Sequence, residues 1–195
     1  MKDSVNDNMR NTIIDAARQV FLRYGFFKTT MEDISRAVGK GKSSLYYYFK
    51  SKEEIFEMVL AKELKPHFAE AEQILSGIDD SQQKFYEYLL LRMKILKRLV
   101  ELYYLEPNGY FEHFAFIEKI RHDYDEAEKG YIKRILEYGN AKRAFDIKDM
   151  PRTVEAVIAA FKGYEYRCII EDNGAEMDEK LKTFMDLLYF GIARR

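Results

Sequence analysis

The sequence predicts an all-α protein of about nine helices, and three observations lead to this fold class. Apolar residues recur at spacings of three and four along most of the chain, which is the period of an amphipathic helix. No segment shows a convincing strand-like alternation of apolar and polar residues. The chain has only three prolines, and its glycines lie mostly outside the periodic segments. Long helices can therefore form with few interruptions.

Composition excludes several classes of protein. Hydrophobic residues make up 47% of the 195-residue chain, which is enough for a core, and charged residues make up 33%. No run approaches the roughly 18 unbroken apolar residues of a membrane-spanning helix. The N-terminal residues lack the apolar stretch of a signal peptide. Cys168, the one cysteine, forms no intrachain disulfide. We therefore expect a cytoplasmic protein with no membrane partner.

The first two helices are predicted from their apolar spacing and their end signals. The first runs from about Asn8 to Tyr24, and Gly25 stops it. The second is predicted over Met31–Val38, with Thr30 as its N-cap and Asp33 completing a variant capping box. It would end at Gly39 and bury three apolar side chains: Met31, Ile34 and Val38.

The third helix carries three consecutive tyrosines: Tyr46, Tyr47 and Tyr48. We expect Ser43 or Ser44 to cap it, and Leu45 and Phe49, one turn apart, to face the core. The tyrosine run is hard to bury, because each phenol needs a hydrogen-bond partner once it leaves water. The sequence therefore predicts that this face points to solvent.

The remaining helices complete the predicted bundle. Ser51 caps a fourth helix, and Pro66 predicts a kink or break within it. Helical character then resumes to about Leu75. Further helices are predicted over Ser81 to about Leu105, Tyr110–His122, Tyr124–Tyr138, Pro151 to about Glu171, and Met177–Ala193.

Charge is unevenly distributed along the chain. Residues 1–52 hold ten Lys or Arg and five Asp or Glu, a net charge of +5. Since the whole chain carries −1, residues 53–195 carry −6. A basic segment joined to an acidic one directs the basic part toward polyanions. We therefore predict two domains, 1–52 and 53–195.

The segment Gly39–Phe49, GKGKSSLYYYF, followed by Lys52-Glu53, resembles the helix-turn-helix signature of TetR-type (tetracycline-repressor-like) bacterial transcription regulators. The segments FLRYGF at 21–26 and TTMEDI at 29–34 match the same family. The resemblance covers roughly the first quarter of the chain. Lys40 and Gly41 depart from it, because the family usually has an apolar residue and often serine at these positions.

The resemblance implies a three-helix DNA-binding head whose third helix enters the major groove and whose second crosses the DNA backbone. Side-chain chemistry then assigns roles. The candidates for base or nearby phosphate contacts are Lys42, Ser43, Ser44 and Tyr47. The candidates for phosphate contacts are Thr30, Tyr48 and Lys52, and Tyr46 is expected to combine packing with a phosphate contact.

The last two helices are the predicted dimer elements, because one short recognition helix covers too few base pairs to be specific. Their apolar and small residues are Val154, Ala156, Val157, Ile158, Ala159, Ala160, Phe161, Gly163, Leu181, Phe184, Leu187, Leu188 and Ile192. In TetR-like proteins the corresponding pair forms a four-helix dimer bundle. An ordinary intramolecular core is the alternative for part of this set.

Aromatic side chains with a few polar groups also line small-molecule pockets. The chain has 15 Tyr and 14 Phe, many of them in residues 53–195. The resemblance implies an inducer cavity among the middle helices. The predicted ligand-binding residues are Tyr88, Arg92, Tyr103, Phe114, Ile117, Tyr131 and Tyr164.

The predicted function is a sequence-specific DNA-binding regulator, a repressor released from a near-palindromic operator by a small apolar or aromatic ligand. One alternative is a helical ligand-binding or protein-interaction module with a non-functional DNA-binding head, and activation in place of repression is also open. No enzyme, metal site or cofactor is predicted. Glu118 and His122 fit a surface salt bridge better than a metal site, and Cys168 lacks an evident partner base.

Overall fold

A computed structural model describes residues 2–103, 114–171 and 174–190, and the side chains of residues 6–101, 124–169 and 174–190. Within these ranges the chain forms eight α-helices and no strand. The predicted all-α fold class is confirmed. The helices are α1 Lys2–Tyr24, α2 Met31–Val38, α3 Lys42–Tyr48, α4 Lys52–Gly77, α5 Ser81–Tyr103, α6 Phe114–Ala141, α7 Met150–Tyr166 and α8 Met177–Phe190. A π-helical turn, Arg167–Glu171, follows α7.

The chain divides into two compact units. The first comprises Met1–Pro66 with Leu99–Leu105, and the second comprises His67–Arg98 with Glu106–Arg195. Two helices, α4 and α5, therefore contribute residues to both units. The two units are defined by contacts and not by function, so the predicted functional domains, 1–52 and 53–195, stay a prediction.

An aromatic cluster forms the centre of the first unit. Phe21 of α1, Phe26 of the α1–α2 loop and Phe56 of α4 are each at most 3% exposed. The Phe26 and Phe56 ring centroids lie 4.4 Å apart, and those of Phe21 and Phe56 lie 5.2 Å apart with the rings edge-on. Such ring pairs add to the stabilisation that burial alone provides. The cluster joins α1, the loop and α4.

The ends of the first helices follow the sequence signals in most places. Gly25 and Gly39 adopt left-handed backbone conformations with φ of 78° and 68°, which glycine tolerates without strain. Ser51 caps α4, since its Oγ accepts from the Glu54 amide at 3.3 Å. Val38 is only half-buried, whereas the spacing predicted a core position.

The predicted cap of α3 is wrong. Gly41 is the N-cap and no side chain caps this end, so the helix begins at Lys42. Ser43 and Ser44 lie within the first turn and are exposed. The Gly41 carbonyl accepts from the Ser44 and Leu45 amides at 3.0 and 3.3 Å, so the helix begins earlier than it would with either serine as its N-cap.

Of the predicted kink or break at Pro66, the break does not occur, because α4 is one helix from Lys52 to Gly77 with Pro66 inside it, and the kink stays a prediction. Proline removes one amide donor and crowds the carbonyl of the residue four positions earlier, which is Lys62. Both residues are exposed. Water can therefore satisfy the carbonyl that proline leaves without its helical donor.

The two helices predicted over Tyr110–His122 and Tyr124–Tyr138 are wrong as a pair. From Phe114 onward the chain forms one helix, α6, which passes through both and ends at Ala141. No proline or glycine lies between the two predicted segments to end a helix there. The first helix also differs from its predicted bounds. It begins at Lys2, six residues before the predicted start at about Asn8.

A buried lysine closes the α4–α5 connection in the second unit. The Lys84 ammonium donates to the Leu75 carbonyl at 2.7 Å and lies 3.5 Å from the centre of the Tyr138 ring. The Tyr138 hydroxyl in turn donates to Asp79 Oδ1 at 2.9 Å. Burial lowers the pKa of Lys84, and these contacts partly offset the cost of burying its charge.

Across the helices that the structure describes, none combines the length and the apolar character needed to cross a membrane.

Candidate nucleic-acid interface

Helix α3 separates its side chains into a buried face and an exposed face. Leu45 and Phe49 are each 1% exposed, as their spacing of four residues predicts. Tyr46 and Tyr47 are 47% and 78% exposed. The tyrosine run therefore projects outward from a helix whose opposite side is fixed in the core.

The first turn of α3 adds polar groups to this exposed surface. Lys42, Ser43 and Ser44 are all exposed and precede the two exposed tyrosines. We call these five residues, Lys42, Ser43, Ser44, Tyr46 and Tyr47, the α3 surface. It offers an ammonium, two hydroxyls and two phenols, which can donate to phosphate oxygens and exchange hydrogen bonds with base edges.

The C-terminal end of α3 is held by an arginine from α1. Arg10 Nη1 donates to the Tyr48 carbonyl at 2.7 Å, and the guanidinium carbon lies 4.3 Å from the centre of the Phe49 ring. Tyr48 is half-buried, and its ring meets the Tyr47 ring edge-on at 5.0 Å. Sequence reasoning missed Arg10, because 38 residues separate it from Tyr48 and no local pattern connects them.

Thr30 forms the predicted capping box at the start of α2. Its hydroxyl donates to Asp33 Oδ2 at 2.6 Å and accepts from the Asp33 amide at 3.2 Å, while the Thr30 amide also donates to Asp33 Oδ2. The side-chain hydrogen bond from Thr30 lowers the pKa of Asp33. Thr30 itself is exposed, so the predicted phosphate contact is sterically open while its hydroxyl serves the helix end.

Lys52 differs from the other predicted phosphate ligands. It is half-buried, and its ammonium donates to three backbone carbonyls of the α1–α2 loop. Burial lowers its pKa. A phosphate contact would require these hydrogen bonds to break, and the predicted phosphate contact of Lys52 stays a prediction.

Other exposed cations of the first unit increase its positive charge. Lys28, Lys40 and Lys50 are exposed, and Lys40 lies in the turn between α2 and α3. Arg36 is also exposed but forms an ion pair with Glu32 one turn earlier, at 2.5 Å. Exposed ammonium groups around a polar helix provide the charge that a duplex attracts irrespective of its sequence.

Of the seven predicted ligand-binding residues, three line one cavity in the second unit: Tyr88, Arg92 and Tyr131. The cavity measures about 10 Å³, the space of one water molecule. Its other lining residues are His67, Phe68, Ala71, Leu91, Ile95, Tyr124 and Glu128. Tyr164 is not among them, and its hydroxyl donates to the Lys180 carbonyl. Tyr103, Phe114 and Ile117 lie outside the described side chains, as do Glu118 and His122.

Two buried carboxylates flank Arg92 at this cavity. Arg92 Nε lies 2.7 Å from Glu128 Oε1, and Nη2 lies 3.1 Å from Glu165 Oε2. All three residues are at most 2% exposed. Burial also raises the pKa of Tyr88 well above its usual value. Sequence reasoning missed Glu128 and Glu165, because acidic residues on amphipathic helices are usually solvated.

The sequence model described as "Bacterial regulatory proteins, tetR family" matches residues 13–59, which include α2, α3 and the exposed α3 surface. A transcriptional regulator of known structure from Cytophaga hutchinsonii is 32% identical, with a TM-score of 0.60. The match covers 89% of this chain and 90% of that one. The chain belongs to the tetR family of bacterial regulatory proteins.

Two curated relatives of this tetR-family chain are also transcription regulators. QacR of Staphylococcus aureus is 25% identical over 162 residues, covering 80% of this chain and 84% of QacR. The negative regulator IcaR of the biofilm operon icaADBC in Staphylococcus epidermidis is 46% identical over 48 residues, a quarter of each chain. These matches confirm the prediction of a DNA-binding transcription regulator and not an enzyme.

Proposed function

We propose that this protein is a homodimeric repressor that binds a near-palindromic operator and is released by a small apolar or aromatic ligand. The observation that carries the proposal is the α3 surface, which projects outward from the buried Leu45. IcaR, which resembles the chain over 48 residues at 46% identity, is a negative regulator, and this favours repression.

Specificity for the DNA sequence would come from side chains that reach base edges. Tyr47 is 78% exposed and lies near the middle of α3, so its phenol can enter a groove without disturbing the core. Lys42, Ser43 and Ser44 are exposed in the preceding turn. Thr30 and Tyr48 would contact phosphates beside them, which positions the helix but carries no sequence information.

A second copy of the chain is the proposed partner of α7 and α8. Four small residues of α7, Ala156, Ala159, Ala160 and Gly163, are exposed at helical spacing, and on α8 Leu187 and Phe190 are 49% and 67% exposed. The opposite sides of these helices pack together, with Phe161 and Phe184 centroids 5.6 Å apart. Exposed apolar side chains of this kind mark interaction surfaces, and small residues allow close helix packing.

The ligand would have to open the cavity, because a space of about 10 Å³ admits only a water molecule. Aromatic rings form part of its walls. The centroid of the Tyr131 ring lies 6.3 Å from that of Phe68 and 5.7 Å from that of Tyr88. An apolar or aromatic compound can replace such ring contacts with similar ones of its own. Ligand binding would therefore select a conformation in which these rings separate.

Helix α4 is the proposed route from ligand to DNA. It contributes His67, Phe68 and Ala71 to the cavity wall and carries Phe56 of the first unit's aromatic cluster. Two recognition helices on a palindrome must lie about 34–36 Å apart, one turn of DNA. A ligand releases the operator if it prefers a state in which α4 gives another separation.

Selection of bound duplexes from random-sequence DNA tests this function. The expected result is an inverted repeat whose half-sites are one helical turn apart. Ala160→Glu places a charge in the small-residue surface of α7, and it should yield a monomer by light scattering that binds the selected duplex more weakly. Glu155→Gln, at an exposed position of the same helix, is the control. Enrichment of no sequence, or a single unrepeated half-site, would contradict the proposal.

We also infer a cytoplasmic location, because the proposed operator is bacterial DNA.

A further inference from the structure

The loop between α1 and α2 is held from several sides. Gly25 turns the chain out of α1, and the Thr29 hydroxyl donates to the Gly25 carbonyl at 2.7 Å. The Thr29 amide donates to the Phe26 carbonyl at 3.3 Å. Thr29 is 2% exposed and immediately precedes Thr30, the N-cap of α2. The position of this loop therefore sets where α2 begins.

Lys52 is the side chain on which the loop carbonyls converge. Its ammonium donates to the carbonyls of Phe26, Phe27 and Thr29 at 3.0, 3.3 and 2.8 Å. It also lies 4.5 Å from the centre of the Phe26 ring. An ammonium has three donors, and all three are directed to backbone oxygens here. Lys52 thus binds the loop and has no further donor for a phosphate.

The same lysine is the first residue of α4. One turn later, Phe56 packs on Phe26 of the loop at 4.4 Å between ring centroids. The start of α4 therefore holds the loop through a polar contact and an apolar contact on the same helix face. Any displacement of α4 would be transmitted to the loop through these two contacts, and through the loop to Thr30.

We propose that Lys52 is a positioning residue for DNA binding, which fixes the start of α2 against α4 by holding the α1–α2 loop. It acts through the loop and not on the duplex. This inference rests on the DNA-binding role of the α3 surface, and it adds a link between α4 and the recognition motif.

Lys52→Gln is the decisive variant, and Lys42→Gln and Lys84→Gln are its matched controls. Binding is measured at several salt concentrations, on a duplex selected by the wild-type protein and on one of unrelated sequence. A phosphate contact contributes about one unit to the slope of log affinity against log salt. Lys52→Gln should weaken selected-duplex binding about tenfold with an unchanged slope, because hydrogen bonds to a charged group are lost inside the protein.

The controls separate positioning from the two simpler roles. Lys42→Gln, on the α3 surface, should lower the slope by about one unit. Lys84 makes a similar ammonium–carbonyl contact in the second unit, so Lys84→Gln should lower the melting temperature and leave duplex affinity unchanged. A slope that falls by about one unit for Lys52→Gln overturns the proposal. So does an equal loss of affinity in Lys84→Gln, which would make the effect one of general stability.

Two further measurements keep the test independent of the operator and of folding. Amide hydrogen exchange of the free protein should rise over residues 25–34 in Lys52→Gln, and unchanged exchange there overturns the proposal. Lys52→Arg keeps the positive charge but places its donors in one plane. It should also bind weakly, and full wild-type affinity in this variant overturns the proposal. Failure to select any sequence would contradict the proposed function, while the exchange result would still decide the role of Lys52.

Discussion

Tyrosines of the first and second units differ in what surrounds them. Tyr47 on α3 is 78% exposed, whereas Tyr88 at the cavity is 4% exposed and burial raises its pKa. An exposed phenol is free to exchange its water contacts for those of a partner. A buried phenol contributes mainly through its ring, because its hydroxyl must be satisfied inside the protein. The same residue type therefore serves recognition in one unit and packing in the other.

Charged groups show the same difference. The lysines around α3 are exposed, so a polyanion can approach them at little desolvation cost. Arg92 is 2% exposed and lies between Glu128 and Glu165. A buried charge cluster is costly to disrupt, since each remaining charge loses a partner in a medium that solvates it poorly. The first unit thus presents its charge outward, and the second holds charge within its core.

The largest effect should come from Arg92→Met, which removes the guanidinium from between two buried carboxylates. We expect the free energy of unfolding to fall by about 3–5 kcal/mol, measured by urea denaturation. Arg134→Met is the control, because Arg134 pairs with Glu72 on the surface and should cost less than about 1 kcal/mol. Equal losses in the two variants would contradict the contrast between buried and exposed charge.

Truncation of the two tyrosines should next separate packing from recognition. Tyr88→Ala leaves a cavity and should lower the free energy of unfolding by about 3 kcal/mol. Tyr47→Ala changes an exposed side chain and should stay within about 0.5 kcal/mol of wild type. Both values come from the same urea series. A destabilised Tyr47→Ala would mean that the α3 surface packs against the protein.

DNA binding should distinguish Tyr47 from an exposed tyrosine outside α3. Tyr47→Ala should cost about 1–3 kcal/mol of affinity for a selected duplex if its phenol reads a base. Tyr24→Ala is the matched control, because Tyr24 is 50% exposed but lies at the end of α1. Fluorescence anisotropy on a labelled duplex measures both. An unchanged binding curve for Tyr47→Ala would remove this residue from the interface.

The smallest effect concerns the cap of α2 and its dependence on pH. Hydrogen bonds from Thr30 lower the pKa of Asp33 below its usual value of 3.8, so the carboxylate is the form that the fold favours. This stabilisation is present above the unfolded-state pKa and is lost as the pH falls through the lower folded-state pKa. In Asp33→Asn the melting temperature should fall less steeply below about pH 4 than in wild type. Parallel curves would contradict the role of this carboxylate.

Local signals in the sequence predicted most of the first unit. Thr30, Asp33, Gly39 and Ser51 lie at the helix ends where their side-chain and backbone chemistry places them. The predicted cap of α3 was wrong, because Gly41 is the N-cap and no side chain caps this helix end. Several neighbouring residues could begin the helix, and a single sequence gives no strong signal for which of them does.

The remaining errors and omissions depend on tertiary structure. Pro66 lies inside α4 because the affected surface faces solvent, a fact that the linear spacing does not contain. The contacts of Arg10 with Tyr48, and of Lys52 with Phe26, join residues far apart along the chain. For the predicted ligand residues, Tyr131 lines the cavity whereas Tyr164 points to another helix end. Aromatic composition alone does not separate these two cases.

The outward position of Tyr47 has an optical consequence. The chain contains no tryptophan, so its intrinsic emission comes from tyrosine alone. Replacing Tyr47 by tryptophan would place one indole on the exposed face of α3, and excitation selective for indole would report on that position alone. Quenching of this single fluorophore by iodide, with and without a duplex, would show directly whether nucleic acid covers the helix.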